Sequence, residues 1–220
     1  MEAREIIARR AAKELKNDQV VNLGFGMPTA VANYLSEGVE VILQSENGCL
    51  MFGPTPQLGK EDPDNANAGG QPISLLPGAS VFDLATSFCI IRGGYVDATI
   101  LGALEVDQEG NISNWAMPLV SEKYAPGMGG AMDLVVGAHK VIATLLHTSK
   151  GGPKILKKCH LPITGKGVVN VIITEKAVFE VTPTGLVLTE IIEGLSVDDI
   201  LSITEADFKV SANLTLYQLA

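Results

Sequence analysis

The sequence predicts an α/β fold, an open and mostly parallel sheet with flanking helices, and three observations predict it. Short apolar runs rich in β-branched residues recur along the chain, as in Val168–Thr174. Glycine turns follow several of them, as in Gly24-Phe25-Gly26. Stretches with helical spacing and capping residues stand between. Strand, glycine turn, helix, strand is the rhythm of an α/β sheet.

The first helix is expected over Ala3–Leu15, with Ile6, Ile7, Ala11 and Leu15 on one face and Arg4, Arg9, Arg10, Lys13 and Glu14 mostly elsewhere. That is a surface helix laid on a core. Gln19–Leu23 reads as a short buried strand, and Pro28 suits the start of a second helix through Leu35, where its missing N–H costs nothing. Glu40–Gln44 forms the next strand. From Gly48 to Pro77 periodicity fails among many glycines and prolines. Loops that long are usually functional, so this one is expected to shape an active-site wall beside Glu46. Ser80 is read as the cap of a helix over Val81–Arg92, ended by Gly93-Gly94. Asp97–Val106 is read as one strand, and Asp107–Asn111 as a tight turn. Gly127–Asp133 opens a short helix. Lys140–Leu146 and Val168–Thr174 are buried strands, Phe179–Ile191 a hairpin, and Ser196 the cap of a last helix through Ile203. No repeat or linker divides residues 1–220, so one domain is expected.

Composition narrows the function classes. A net charge of −9 and a pI near 4.8, with no basic run of five, would repel a nucleic-acid backbone. Lys154–Lys158 reads as a solvated helix face. Cys49, Cys89 and Cys159 are odd in number and widely spaced, which points to free thiols in a reducing compartment and away from zinc. The charged N-terminal stretch has no apolar core of a signal peptide. Ala131–Leu146 carries Asp133, His139 and Lys140 and is too short to span a bilayer. A soluble, cytoplasmic protein without membrane or metal is expected.

Glu46 follows the apolar run Val41-Ile42-Leu43 and precedes Asn47-Gly48. In open α/β sheets ligands bind outside the carboxyl ends of strands, so a reactive carboxylate belongs there, although capping or ion pairing also fits. Gly127-Met128-Gly129-Gly130 offers backbone N–H groups to an anion or oxyanion, or simply allows close helix–strand packing. Gly24 and Gly26 are open to the same two readings, and Asn22 is a strand-end side chain or a ligand donor. His139, His147 and His160 lack partners at metal or catalytic spacing, and Ser45, Ser80 and Ser87 lack a nucleophile-elbow context. Trp115 and Met117 read as core or rim.

Eight ordered blocks then carry a family resemblance. Asn22–Pro28, Gln44–Gly48, Asn67–Gly70, Leu76–Ala79, Ile91–Gly94, Asn114-Trp115, Pro126–Leu134 and Thr174–Phe179 resemble the B (beta) subunit of family I coenzyme A transferases, of the acetate/butyrate–acetoacetate or 3-oxoacid type. The resemblance continues through Glu193–Asp199. It implies Glu46 as covalent nucleophile, with Asn22, Gly129 and Gly130 stabilising the oxyanion or positioning substrate. Asn47, Gly48, Gly24 and Gly26 would wall the site.

The resemblance further implies a partner A subunit, in an A2B2 heterotetramer or larger, with the site at their junction. Coenzyme A and acyl-CoA would be substrates, and no cofactor would be needed. Gly70 stands where the mitochondrial 3-oxoacid enzymes typically have Lys, which favours the acetate/butyrate type. Leu119–Ala125 replaces a shorter connection, so the contact of its family Lys is not carried over. The alternatives are a related-fold enzyme for ring-opened or dicarboxylic acyl-CoA substrates, a phosphosugar enzyme on a related fold, and a non-catalytic binding domain.

Overall fold

The computed structural model describes residues 1–118, 124–150 and 152–217. Its frame is a ten-stranded sheet. In chain order the strands are β1 (Val20–Leu23), β2 (Ile42–Ser45), β3 (Cys49–Phe52), β4 (Leu75–Val81), β5 (Ala98–Gly102), β6 (Lys140–Thr144), β7 (Val171–Ile173), β8 (Ala177–Thr182), β9 (Gly185–Ile191) and β10 (Phe208–Leu216). The spatial order is β10-β9-β8-β7-β6-β5-β1-β2-β3-β4. The run from β7 through β6, β5 and β1 to β2 is parallel. An antiparallel hairpin extends it at each side, β3–β4 at one and β8–β9 at the other, and β10 then pairs parallel with β9.

Successive side chains of a strand face opposite sides, and both sides are apolar here. Val21, Ala98, Ile100, Ile142, Val171 and Ile173 pack under helix α1 (Ala3–Ala12) with Ile7, Ala8 and Ala11. Leu101, Val141, Ala143 and Ile172 face the other way, onto α2 (Leu84–Arg92) through Ile91 and onto α3 (Ala131–Gly137) through Leu134 and Val135. Helix α4 (Val197–Ser202) adds Ile200 to this second cluster and is closed by a capping box between Ser196 and Asp199.

Several expectations need correction. The stretch after Gly48 is not irregular throughout, because β3 and β4 lie within or across it. Ser80 is therefore a strand residue paired with Leu50, and Asp83 caps α2 by accepting from Thr86 N at 2.7 Å. The second helix is 3-10, over Met27–Tyr34, with Pro28 at its start as expected. The strand expected over 97–106 breaks after Gly102, and Glu105–Asp107 joins a separate small sheet with Ile112-Ser113 and Ile155-Leu156. Ile155 and Leu156 are buried there, so Lys154–Lys158 is not a helix face. Arg10 is also buried; it donates to Glu14 at 2.6 Å and, through two nitrogens, to Glu190 at 2.7 Å. Most of the altered connection at 119–125 lies outside the described residues. No described helix is long and apolar enough to cross a membrane.

Candidate active site

The chain leaves β1 toward β2 on one side, while β5, β6 and β7 build the sheet on the other. The order therefore reverses between β1 and β5, and such switch points open a crevice outside the strands' carboxyl ends. A cavity of about 1440 Å³ lies there. Gly24 and Phe25 after β1, Gly102 at the end of β5, Glu46 after β2, and Gly127, Met128 and Gly129 before α3 all line it. Gly24 is tight against β5: its N–H donates to Ile100 O at 2.8 Å, and a Cβ would sit 2.9 Å from Leu101 Cδ2.

Glu46 stands in the turn that joins β2 to β3, where Ser45 pairs with Cys49. Gly48 makes this turn possible. Its φ is +118°, and a Cβ would fall 2.0 Å from Phe82 O. The half-buried Glu46 carboxylate points toward α3, where Gly130 N–H donates to Oε1 at 3.4 Å. The approach is close enough that a Cβ on Gly130 would lie 2.6 Å from Oε2 and 2.9 Å from Phe88 Cζ. Glu46 and Gly130 are thus brought together from 84 positions apart.

Burial is the main cause that raises the Glu46 pKa above the ordinary carboxylate value; the Gly130 N–H opposes it and the nearby Asp133 charge adds to it. A carboxylate with so little solvation keeps its lone pairs available for attack. Asp133 is itself tied to Arg92, with Nε donating at 2.7 Å.

Beneath Glu46 runs a buried polar chain. Asn22 Nδ2 donates to Gln44 Oε1 at 2.8 Å and approaches Gln44 O at 3.3 Å, while Gln44 Nε2 donates to Ser87 Oγ at 3.1 Å. Thr99 Oγ1 reaches Asn22 Oδ1 at 3.4 Å. The Asn22 amide lines the cavity with its donors already engaged. Asn47 is exposed and Gly26, at φ +84°, shapes the turn around Phe25.

Sequence reasoning misses Gln44 and Ser45 as site residues. The signal is present: two polar residues end an otherwise apolar strand, where each buried polar atom needs a partner. Trp115 also lines the cavity, and its indole N–H is buried without a partner among the described residues. His139 and His160 are exposed, and the three cysteines are free.

Relatives carry the same architecture. The family described as Coenzyme A transferase matches residues 4–202. The beta subunit of the acetate CoA-transferase of Escherichia coli K12 is 50% identical over 215 residues, 97% of each chain. The B subunit of the succinyl-CoA:3-ketoacid coenzyme A transferase of Helicobacter pylori is 51% identical over 208 residues, 94% of this chain and 99% of that one. Among solved structures, an acyl-CoA transferase from Escherichia coli O157:H7 superposes with a TM-score of 0.77 at 24% identity. The alignment covers 99% of this chain and 44% of that longer one, and it speaks for the fold alone. A family match over most of the length, with half the residues shared with full-length relatives, shows that this chain belongs to the coenzyme A transferase family.

Proposed function

We propose that this chain is the B subunit of a short-chain acyl-CoA transferase and that Glu46 carries coenzyme A as a covalent thioester. The observation that carries the reading is the Glu46 carboxylate, half-buried beside the Gly130 N–H at the mouth of the switch-point cavity. The names of the relatives, acetate CoA-transferase and succinyl-CoA:3-ketoacid transferase, support the substrate class.

A free acid does not displace a thiolate directly at a useful rate, and water would destroy an activated acyl group. A relay through the enzyme's own carboxylate divides the difficulty. Glu46 attacks the thioester carbonyl of the donor, the C–S bond breaks, and a mixed acyl–glutamyl anhydride and CoA thiolate form. The thiolate attacks the Glu46 carbonyl, giving the glutamyl-CoA thioester and releasing the first acid. The second acid then attacks that thioester, CoA leaves as thiolate, and attack on the new acyl carbonyl yields the second acyl-CoA and restores Glu46.

Holding these groups together contributes roughly 7–11 kcal/mol. One oxyanion donor contributes about 2.7–4 kcal/mol, and Gly129 and Gly130 are assigned that role. Asn22 is assigned to positioning, since its amide holds Gln44 below the nucleophile. Gly24, Gly26, Asn47 and Gly48 form the wall. Neither a base, a metal nor a cofactor is called for by this sequence of steps.

A partner A subunit completes the site in this reading, and two features support it. No Lys or Arg lines the cavity among the described residues, yet CoA carries several phosphate charges, so cations must come from elsewhere. In addition, α2 reads Leu84-Ala85-Thr86-Ser87-Phe88-Cys89-Ile90-Ile91-Arg92, but only Ser87 and Ile91 are buried. A helix apolar nearly all round calls for a cover. Leu84 joins exposed Val81 at the end of β4, and Met132 and Val136 are exposed on the neighbouring α3. We assign this flank to the partner, in an A2B2 or larger cytoplasmic assembly.

The test is to reconstitute the complex, load it with acyl-CoA and reduce it with borohydride. A modified Glu46 peptide is expected. Transfer with no modified Glu46 would defeat the covalent relay, and full activity of this chain alone would defeat the partner assignment.

A further inference from the structure

We propose that Ser45 is a positioning residue. Together with Asn47 it clamps the segment Ala66–Gln71 onto the Glu46 turn, as the uncharged wall against which the acyl chain rests. The inference builds on the CoA-transfer reading. Ser45, 4% exposed, accepts from Ala68 N at 3.0 Å and donates to Asn47 Oδ1 at 2.6 Å. Asn47 Nδ2 in turn donates to Ala66 O at 2.8 Å. The residues on both sides of Glu46 thus grip one segment, about twenty positions downstream.

The chemistry of that segment says what it meets. Every backbone N–H from Asn67 to Gln71 is already engaged: Asn67 N with Gln71 O, Ala68 N with Ser45 Oγ, Gly69 N and Gln71 N with Asn67 Oδ1, and Gly70 N with Asn67 O. The segment has no charged side chain. Its backbone donors are spent and it carries no charge, leaving the side-chain amides of Asn67 and Gln71 to offer N–H groups, so it suits the uncharged chain of an acyl group better than a phosphate or a carboxylate. Asn67, Ala68, Gly69 and Gln71 line the same cavity as Glu46. Gly69 also lies against the Phe25 ring, where a Cβ would be 2.8 Å from Cδ2, so the wall continues onto the turn after β1. In the anhydride the acyl group is bonded to Glu46, which lines the same cavity as this wall.

The experiment compares Ser45→Ala, Asn47→Ala and the double variant in the reconstituted two-subunit complex. Each single variant should raise KM for the acceptor acid about tenfold. The inhibition constant of free CoA and the fraction of Glu46 trapped as thioester should hold. Because the two side chains act as one clamp, the double variant should match either single one. Exchange of the Ala68 amide should accelerate in Ser45→Ala. An unmoved KM for the acid, a shift in the CoA constant in its place, or additive losses would overturn the clamp. If Ser45→Ala does not fold, Asn47→Ala at its exposed position decides by the same KM and exchange measurements. Failure to trap Glu46 in the wild-type complex would instead remove the CoA-transfer reading on which the clamp rests.

Discussion

Glu46 is half withdrawn from water and His147 wholly so, on either side of β1 and β5 in the strand order, and burial has opposite consequences for the two ionisable groups. His147 follows β6 and is fully buried beside Phe179. Its Nδ1 and Nε2 each lie 2.9 Å from a hydroxyl, of Thr174 and Thr204. Thr174 Oγ1 already accepts from Lys176 N and Ala177 N, while Thr204 Oγ1 donates to Ile200 O at 2.7 Å. Because Thr204 spends its proton on Ile200 O, a neutral ring donates to Thr204 at Nε2 and accepts at Nδ1 from Thr174, whose hydroxyl proton also lies within reach of Ala177 O at 3.1 Å. Burial, with a smaller effect of the Lys176 charge, brings its pKa down to about 4. Among the described residues Glu46 accepts one long hydrogen bond, and a like charge lies nearby. The ring rests satisfied in its uncharged form; the carboxylate is left short of partners, and a group in that state can react.

The sharpest way to break the comparison is to neutralise Glu46. Glu46→Gln should lower CoA transfer by about a thousandfold or more in the reconstituted complex. It should also make the chain more resistant to denaturant at neutral pH. The folded pKa of Glu46 is raised, so its contribution to stability is present below the ordinary carboxylate range and lost as pH rises through the raised value. A gain that persists at low pH would show that ionisation was not its cause.

On the other side, Phe179→Ala should cost about 3–5 kcal/mol in urea unfolding, because its ring is fully buried against His147 and Phe208. The pH dependence of stability comes next. His147 binds a proton near 6.5 when unfolded and near 4 when folded, so its stabilisation is complete above about pH 6.5 and falls away toward pH 4. The loss across that window should approach roughly 3 kcal/mol. His147→Gln should flatten the profile, and an unchanged slope would sink the assignment. The smallest effect expected is from Ser196→Ala, about 1 kcal/mol, because it removes one half of a solvent-exposed capping box. It should leave transfer intact.

Sequence reading reaches the Glu46 side of this contrast further than its surroundings. An apolar run ending in a carboxylate and a glycine turn is local information, and the family blocks supply roles for Asn22, Gly129 and Gly130. The contact between Glu46 and Gly130 depends on how β2 and α3 meet, which no spacing encodes. β4 is hidden by Pro77 and Gly78, yet proline is tolerated on an edge strand, which is where β4 lies. Arg10 is misplaced because its partner Glu190 is 180 residues away. β10 leaves a readable signal that the sequence reading misses, the alternation of Phe208, Val210, Ala212, Leu214 and Leu216.

The bare apolar flank of α2 bears on manufacture as well as on catalysis. A chain finished ahead of its partner would carry Leu84, Val81 and Val136 into the cell uncovered, as an adhesive patch. Under the two-subunit reading, the supply of the two chains has to be matched in time and amount. Expression of this one alone is expected to yield aggregates or rapid turnover, and co-expression to restore a long-lived product.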